Sequence, residues 1–236
     1  MDGFTYTNIF ATKGIEYLAI IGFFLLLIPF WILLTRKSKS PEQGQLSSSL
    51  ITSKALRIPH GIFFSKFHSW TFLERNGLAK VGLDDLLLHL TGEVNITHLK
   101  QPGQKVKKGE LLTQINHHGK SLHIFSPISG VIQQANELLT EEPELMREDP
   151  YRQGWIYQIK PTAWKADTNT HFLAEDASKW AAQELIRFKD FLSISVNQHL
   201  PDPSQVVLQD GGELVEHPMA ELPPEVWQDF QEQFLT

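Results

Sequence analysis

Between Ile58 and Pro161 the chain is cut into short β-prone runs by closely spaced glycines, and this spacing limits the fold more than any other feature. Gly103, Gly109, Gly119 and Gly130 sit where sharp reversals are expected. The runs "EVNITHL", "QPGQKVKKGELLTQI" and "KSLHIFSPISGVIQQAN" between and around them suit a compact sandwich or barrel of short strands. "SWTFLERNGLAKVGL" predicts a hairpin around Asn76-Gly77, because both residue types tolerate positive φ. "DDLLLHLTG" predicts a short helix that Asp84 caps and Gly92 ends. "EDPYRQGWIYQIKP" supplies a closing strand. No βα repeat and no phosphate-binding glycine loop occurs.

Composition removes several chemistries. The formal charge of −6 argues against nucleic acid as a partner, since phosphate recognition needs a basic face. With no cysteine in 236 residues, disulfides, thiolate metal sites and cysteine catalysis are all excluded. Asp84 and Asp85 are adjacent, but neighbouring helix positions diverge and capping accounts for the first, so no acid–base pair is expected. The sequence shows no nucleophile elbow or metal motif, and no enzyme activity or metal site is expected.

Toward the amino end, residues 17–35 read "YLAIIGFFLLLIPFWILLT" without a charge. That length matches a hydrocarbon core of about 30 Å, with Tyr17 and Trp31 near its ends. Arg36, Lys37 and Lys39 follow it. The expectation is a single-pass anchor in the cell membrane with the carboxyl side cytoplasmic, because Lys and Arg accumulate on that side. Residues 1–16 form an amino-terminal segment and residues 36–57 a polar, Ser-rich tether. The central domain is expected over 58–161 and an acidic extension over 162–236.

The central pieces occur in a recognisable order: "HSWTFL", "VGLDDLLLHLTGEV", "PGQKVKKGELL", "SPISGVIQQANELL", "EEPELMREDPYRQGW" and "IYQIKP". On these, residues 58–161 resemble the H protein of the glycine cleavage system, a lipoyl/biotinyl barrel-sandwich hybrid. The fold class expected is therefore a transmembrane helix followed by a mainly-β barrel-sandwich hybrid with a helical and hairpin extension. The resemblance implies a lipoyl arm on a hairpin-tip lysine that shuttles an aminomethyl group between partner enzymes. It also implies a Glu-Ser-Val-Lys pattern at that tip. Counting forward from Gly109 and backward from Pro127 places the glutamate on Asn116 and the lysine on Gly119. Where the family attaches its cofactor, this chain has no side chain.

Lys120 follows one residue later. With Gly119-Lys120 as the centre of a tight turn, Gly first as type II′ prefers, Lys120 would protrude at the tip. His118 would then pair with Ser121 and Asn116 with His123, leaving His118 and His123 diagonal on one face and His117 on the other. A two-histidine metal site is conceivable there but lacks a carboxylate. Surface contacts are the expectation for all three imidazoles.

Beyond Lys160, "EDASKWAAQELIRFKDFLSISV" predicts a helix with Trp180, Ala181, Leu185, Phe188 and Leu192 on one stripe. A hairpin is expected around Asp210-Gly211-Gly212. A second helix follows in "LPPEVWQDFQEQFL", with Trp227, Phe230 and Phe234 on one side. Both stripes are expected to pack on the central domain. From Pro201 to Thr236 there are eight acidic residues and no Lys or Arg. Such a segment should stand off an anionic bilayer or meet a basic partner.

The leading expectation is a membrane-anchored, noncarrying adaptor or subunit of a membrane-associated complex, with protein partners and no cofactor. Two alternatives stay open: a lipoyl carrier of a glycine-cleavage-type system using Lys120, and a membrane-fusion-type transport adaptor.

Overall fold

The computed structural model describes Tyr17 and residues 20–30, 50–52, 55–200, 208–209 and 213–236. The amino-terminal part through Ser47 and the part from Ser48 onward are two separate units.

In the first unit Tyr17 and residues 20–30 are helical. Among the described residues no helix is long and apolar enough to cross a membrane. The expected single-pass span over 17–35 is thereby corrected, and the cell-membrane placement with a cytoplasmic domain falls with it. Residues 1–16, 18–19 and 31–35 lie outside the described residues, as does most of the expected tether.

The second unit is mainly β. In chain order its strands are β1 (Leu50–Ile51), β2 (Phe63–Phe64), β3 (Ser69–Leu73), β4 (Ala79–Leu83), β5 (Asn95–His98), β6 (Lys105–Val106) and β7 (Leu111–His117). β8 (Lys120–Phe125), β9 (Gly130–Ala135), β10 (Trp155–Pro161), β11 (Phe172–Leu173), β12 (Leu208–Gln209) and β13 (Glu213–Val215) follow. A seven-stranded sheet runs β11-β2-β3-β4-β10-β9-β6, and a three-stranded sheet runs β5-β7-β8. A small third sheet, β1-β13-β12, ties the start of this unit to its carboxyl-terminal part.

Alternation sets the inward face. On β8, Leu122 and Ile124 are buried while Ser121 and His123 are exposed, the period of two that a half-buried strand requires. Leu112 and Ile115 on β7, Ile132 on β9 and Ile159 on β10 join the same buried cluster. Each such side chain contributes about 1.5–3 kcal/mol on burial.

Three of the four expected reversals are turns with positive φ, at Gly103, Gly109 and Gly119. Gly130 is not a reversal. It starts β9, and a Cβ there would lie 2.4 Å from the Lys160 carbonyl oxygen. Only glycine permits that approach of β9 to β10.

The capped helix spans Asp85–Thr91, with Asp84 accepting from the Leu87 amide at 2.8 Å and Gly92 closing it at φ 78°. The long helix spans Glu175–His199 and the terminal helix Pro224–Phe234. Their stripes, Trp180, Leu185, Phe188 and Leu192 on one and Trp227, Phe230 and Phe234 on the other, belong to the core cluster of the β unit. β12 and β13 pair as the expected hairpin; its turn, 210–212, lies outside the described residues.

Candidate functional site

The β7–β8 tip has a different centre from the one expected. His117 pairs with Lys120, Asn116 with Ser121 and Gln114 with His123. The two central residues are therefore His118 at φ 44° and Gly119 at φ 83°, the pair of positive φ values that a type I′ turn demands. Both the expected and the observed registers keep Ile115 and Leu122 on the same face, so hydrophobic alternation does not choose between them. The turn chooses. Histidine is among the residue types that tolerate the left-handed region, and the right-handed strand twist favours the primed turn with both central φ values positive.

This register removes Lys120 from the tip. It becomes the first residue of β8, opposite His117 and sharing its face. His118 lies in the turn instead of facing His123 diagonally. Its ring meets the His117 ring edge-on, with centroids 4.5 Å apart.

A carboxyl-terminal strap crosses that face. The His217 amide donates to the His89 carbonyl at 2.9 Å and the Met219 amide to the Leu90 carbonyl at 3.1 Å. These bonds satisfy two of the orphan carbonyls at the end of the capped helix. From there the chain passes over Lys120, whose ammonium donates to the Ala220 carbonyl and, at 3.1 Å, to the Leu222 carbonyl. The same ammonium lies 5.2 Å from the centroid of the Trp227 ring, within cation–π range. Burial lowers the Lys120 pKa below the ordinary lysine value, against a smaller opposing pull from Glu221.

Trp227 is fixed from both sides. Its Nε1 donates to the Met219 carbonyl at 2.9 Å, and its ring stacks on His117 with centroids 5.8 Å apart and planes 7° from parallel. His117 in turn donates through Nδ1 to the Glu93 carbonyl. One turn further along the terminal helix, Gln231 meets the open edge of β8. Its Oε1 accepts from the His123 amide at 2.6 Å, and its Nε2 donates to the His123 carbonyl at 3.2 Å. β8 is an edge strand, and this amide occupies the place of a neighbouring strand at that residue. Beside the tip a cavity of about 310 Å³ is lined by Leu88, Val94, His117, His118, Met146 and Arg147.

A second cluster anchors the same extension. His68 is fully buried, with Nδ1 2.9 Å from Asp84 and Nε2 3.6 Å from Glu184 of the long helix. Trp180, Phe230 and Phe234 surround its ring. Burial alone pulls its pKa down, but the Asp84 carboxylate, charged and hydrogen-bonded to the ring, and the nearby Glu184 carboxylate outweigh that and raise it to about 9. The imidazolium thus ties the capped helix to the long helix, and Arg187 completes the set 3.0 Å from Glu184.

The adjacent aspartates have separate structural partners. Asp84 uses one carboxylate oxygen for the helix cap and the other for His68. Asp85 is held by Arg57 through Nε at 2.9 Å and Nη2 at 2.6 Å. Helical periodicity puts Trp227 on a packing stripe but carries no sign of its contact with Lys120 or of the Gln231 clamp. His68 drew no role either. Its partners stand 16 and 116 positions away, and no local spacing signals them.

Several known proteins are similar to this chain. A family model described as "Glycine cleavage H-protein" matches residues 62–184, just over half of the sequence. The glycine cleavage system H protein of Thermus thermophilus is 34% identical over 104 residues, covering 44% of this chain and 80% of that protein. That of Coprothermobacter proteolyticus is 30% identical over 105 residues, covering 44% and 83%. The crystal structure of the glycine cleavage system H protein of Mycobacterium marinum aligns with a TM-score of 0.45 at 25% identity, over 54% of this chain and 98% of that one.

Proposed function

The chain belongs to the glycine cleavage H-protein family, and from that premise we propose that it uses the family fold as a noncarrying subunit of a protein complex. One observation carries the reading: the amine nearest the family's attachment position is already engaged. The family pattern places its lysine on Gly119, which has no side chain to offer. The neighbouring Lys120 ammonium donates to two backbone carbonyls and faces Trp227.

A lipoyl group does not fit this arrangement. Acylation would convert the ammonium to an amide with a single N–H. It would then lose the charge that the indole face favours and most of its donors. It would also place a long chain where residues 217–227 cross the tip. No transfer step is therefore routed through the group. We assign residues 58–161 to the domain that partner proteins meet and residues 162–236 to an extension whose long and terminal helices pack on it. No catalysis of its own is assigned, since both candidate carboxylates are held by structural partners.

The test is the intact mass of protein purified from its own host, followed by peptide mapping across residues 107–125. The expected mass is that of the unmodified chain. A lipoyl increment on Lys120 overturns the reading.

A second reading is favoured by the comparisons themselves: a lipoyl carrier of a glycine-cleavage-type system with Lys120 as attachment site. The relatives are H proteins of that system, which supports a carrier more than a membrane adaptor. This reading requires the strap to leave Lys120 before attachment. It predicts that the increment is present in the native protein and lost in Lys120→Ala. The transport-adaptor reading needed a membrane anchor and falls with the corrected span.

A further inference from the structure

We propose that the carboxyl-terminal segment from Glu216 to Thr236 is a built-in cap that closes the β7–β8 tip, shielding the Lys120 amine from acylating reagents and the β8 edge from strand addition. The inference deepens the noncarrying reading, and rests on it for a tip that carries no arm. That reading concerns what is attached in the cell; the cap concerns what can reach the tip.

The cap is more than an apolar face laid on a core. Its apolar side, Phe230 and Phe234, packs against Phe188 and Phe191 of the long helix and against His68. Its other side meets the tip through directed polar contacts, each matched to a group that would otherwise be open. The Ala220 and Leu222 carbonyls take the ammonium of Lys120. The side-chain amide of Gln231 takes both outward backbone groups of His123. Unpaired strand-edge groups are a template for another chain, and here one helix side chain satisfies those of His123. Two fixed points hold the cap in register with the tip. One is the pair of backbone bonds from residues 217 and 219 to the end of the capped helix. The other is the Trp227 indole, hydrogen-bonded to Met219 and stacked on His117.

The experiment is competitive acylation of the folded full-length chain with acetyl N-hydroxysuccinimide, read lysine by lysine by peptide mass mapping. Lys105, exposed on β6, is the internal reference. Burial lowers the Lys120 pKa, which by itself would speed the reaction, so slow labelling reports cover. Lys120 is expected to label roughly tenfold or more slowly than Lys105, the protection given by an opening cost of about 1.4 kcal/mol. Two variants keep the test independent of unfolding. Trp227→Phe keeps an aromatic ring, smaller than the indole, but loses the Nε1 bond to Met219. Gln231→Ala leaves the buried face intact but releases the β8 edge. Both are expected to speed Lys120 labelling while Lys105 stays unchanged, and Gln231→Ala should also speed hydrogen exchange at the His123 amide. Lys120 labelling as fast as Lys105 in the unaltered chain overturns the cap. So does a rate that neither variant changes. Fast labelling of a chain whose native mass shows no increment rejects the cap alone, whereas a native increment rejects the noncarrying reading.

Discussion

The indole of Trp227 lies parallel to the imidazole of His117, 5.8 Å from it, and the same indole presents its face to the ammonium of Lys120. His117 and Lys120 are cross-strand partners, so one side chain from the terminal helix covers both members of the pair nearest the tip. The carboxyl-terminal extension is thus part of the site.

Stability should fall as the His68 imidazolium loses its proton. Its pKa is about 9 in the folded chain against an ordinary value near 6.5. The folded state therefore binds the proton more tightly, and the contribution is complete below about pH 6.5. It declines as pH rises and is gone above about 9, a total of roughly 3 kcal/mol. Urea midpoints measured from pH 6 to pH 10 should drop more steeply for the unaltered chain than for His68→Gln. Parallel curves would rule out a buried imidazolium.

Asp84 and His68 should be energetically coupled. Asp84→Ala removes a helix cap, at about 1 kcal/mol, and also leaves His68 facing Glu184 alone. The double variant with His68→Gln should cost less than the sum of the singles, by roughly 0.5–3 kcal/mol. Additive losses in a chemical-denaturation cycle would show that the 2.9 Å contact contributes nothing beyond geometry.

Gly82→Ala should destabilise the β unit strongly. A Cβ at Gly82 would lie 2.7 Å from the ring of Trp70, which is fully buried. Overpacking of this kind costs about 1–3 kcal/mol. A lowered melting temperature with an unchanged carboxyl-terminal exchange pattern is expected; an unchanged melting temperature would mean that Trp70 moves freely.

At the tip, conformation and space separate. A Cβ on Gly119 meets nothing within 4 Å, yet φ there is +83°. Gly119→Ala should cost about 1 kcal/mol from backbone strain alone, and Gly119→Asn clearly less, since asparagine tolerates the left-handed region. Equal losses for the two would point to a contact at this position.

Much of the fold is legible along the chain because its causes are local. Alternation of Leu122 and Ile124 with Ser121 and His123 marks a strand whatever it packs against. Asp84 and Gly92 bound a helix through bonds within four residues. The stripes of the last two helices state which side will be buried. The tip shows where local reasoning stops. Gly119 is legible as a turn glycine, but two registers place the same apolar residues inward, and the sequence pattern is blind to the difference. The membrane span was expected from a run of apolar residues, and among the described residues no helix of that length and character forms.

By itself the sequence determined the order of strands and turns, the capped helix, the family resemblance and the glycine at position 119, because each depends on side chains adjacent or periodic in the chain. Tertiary structure alone decided that Lys120 faces two carbonyls and an indole about a hundred positions away, and that His68 holds a proton between two carboxylates. Charge state and exposure arise from what surrounds a group in space, and the residues that surround these two come from segments far apart in the chain.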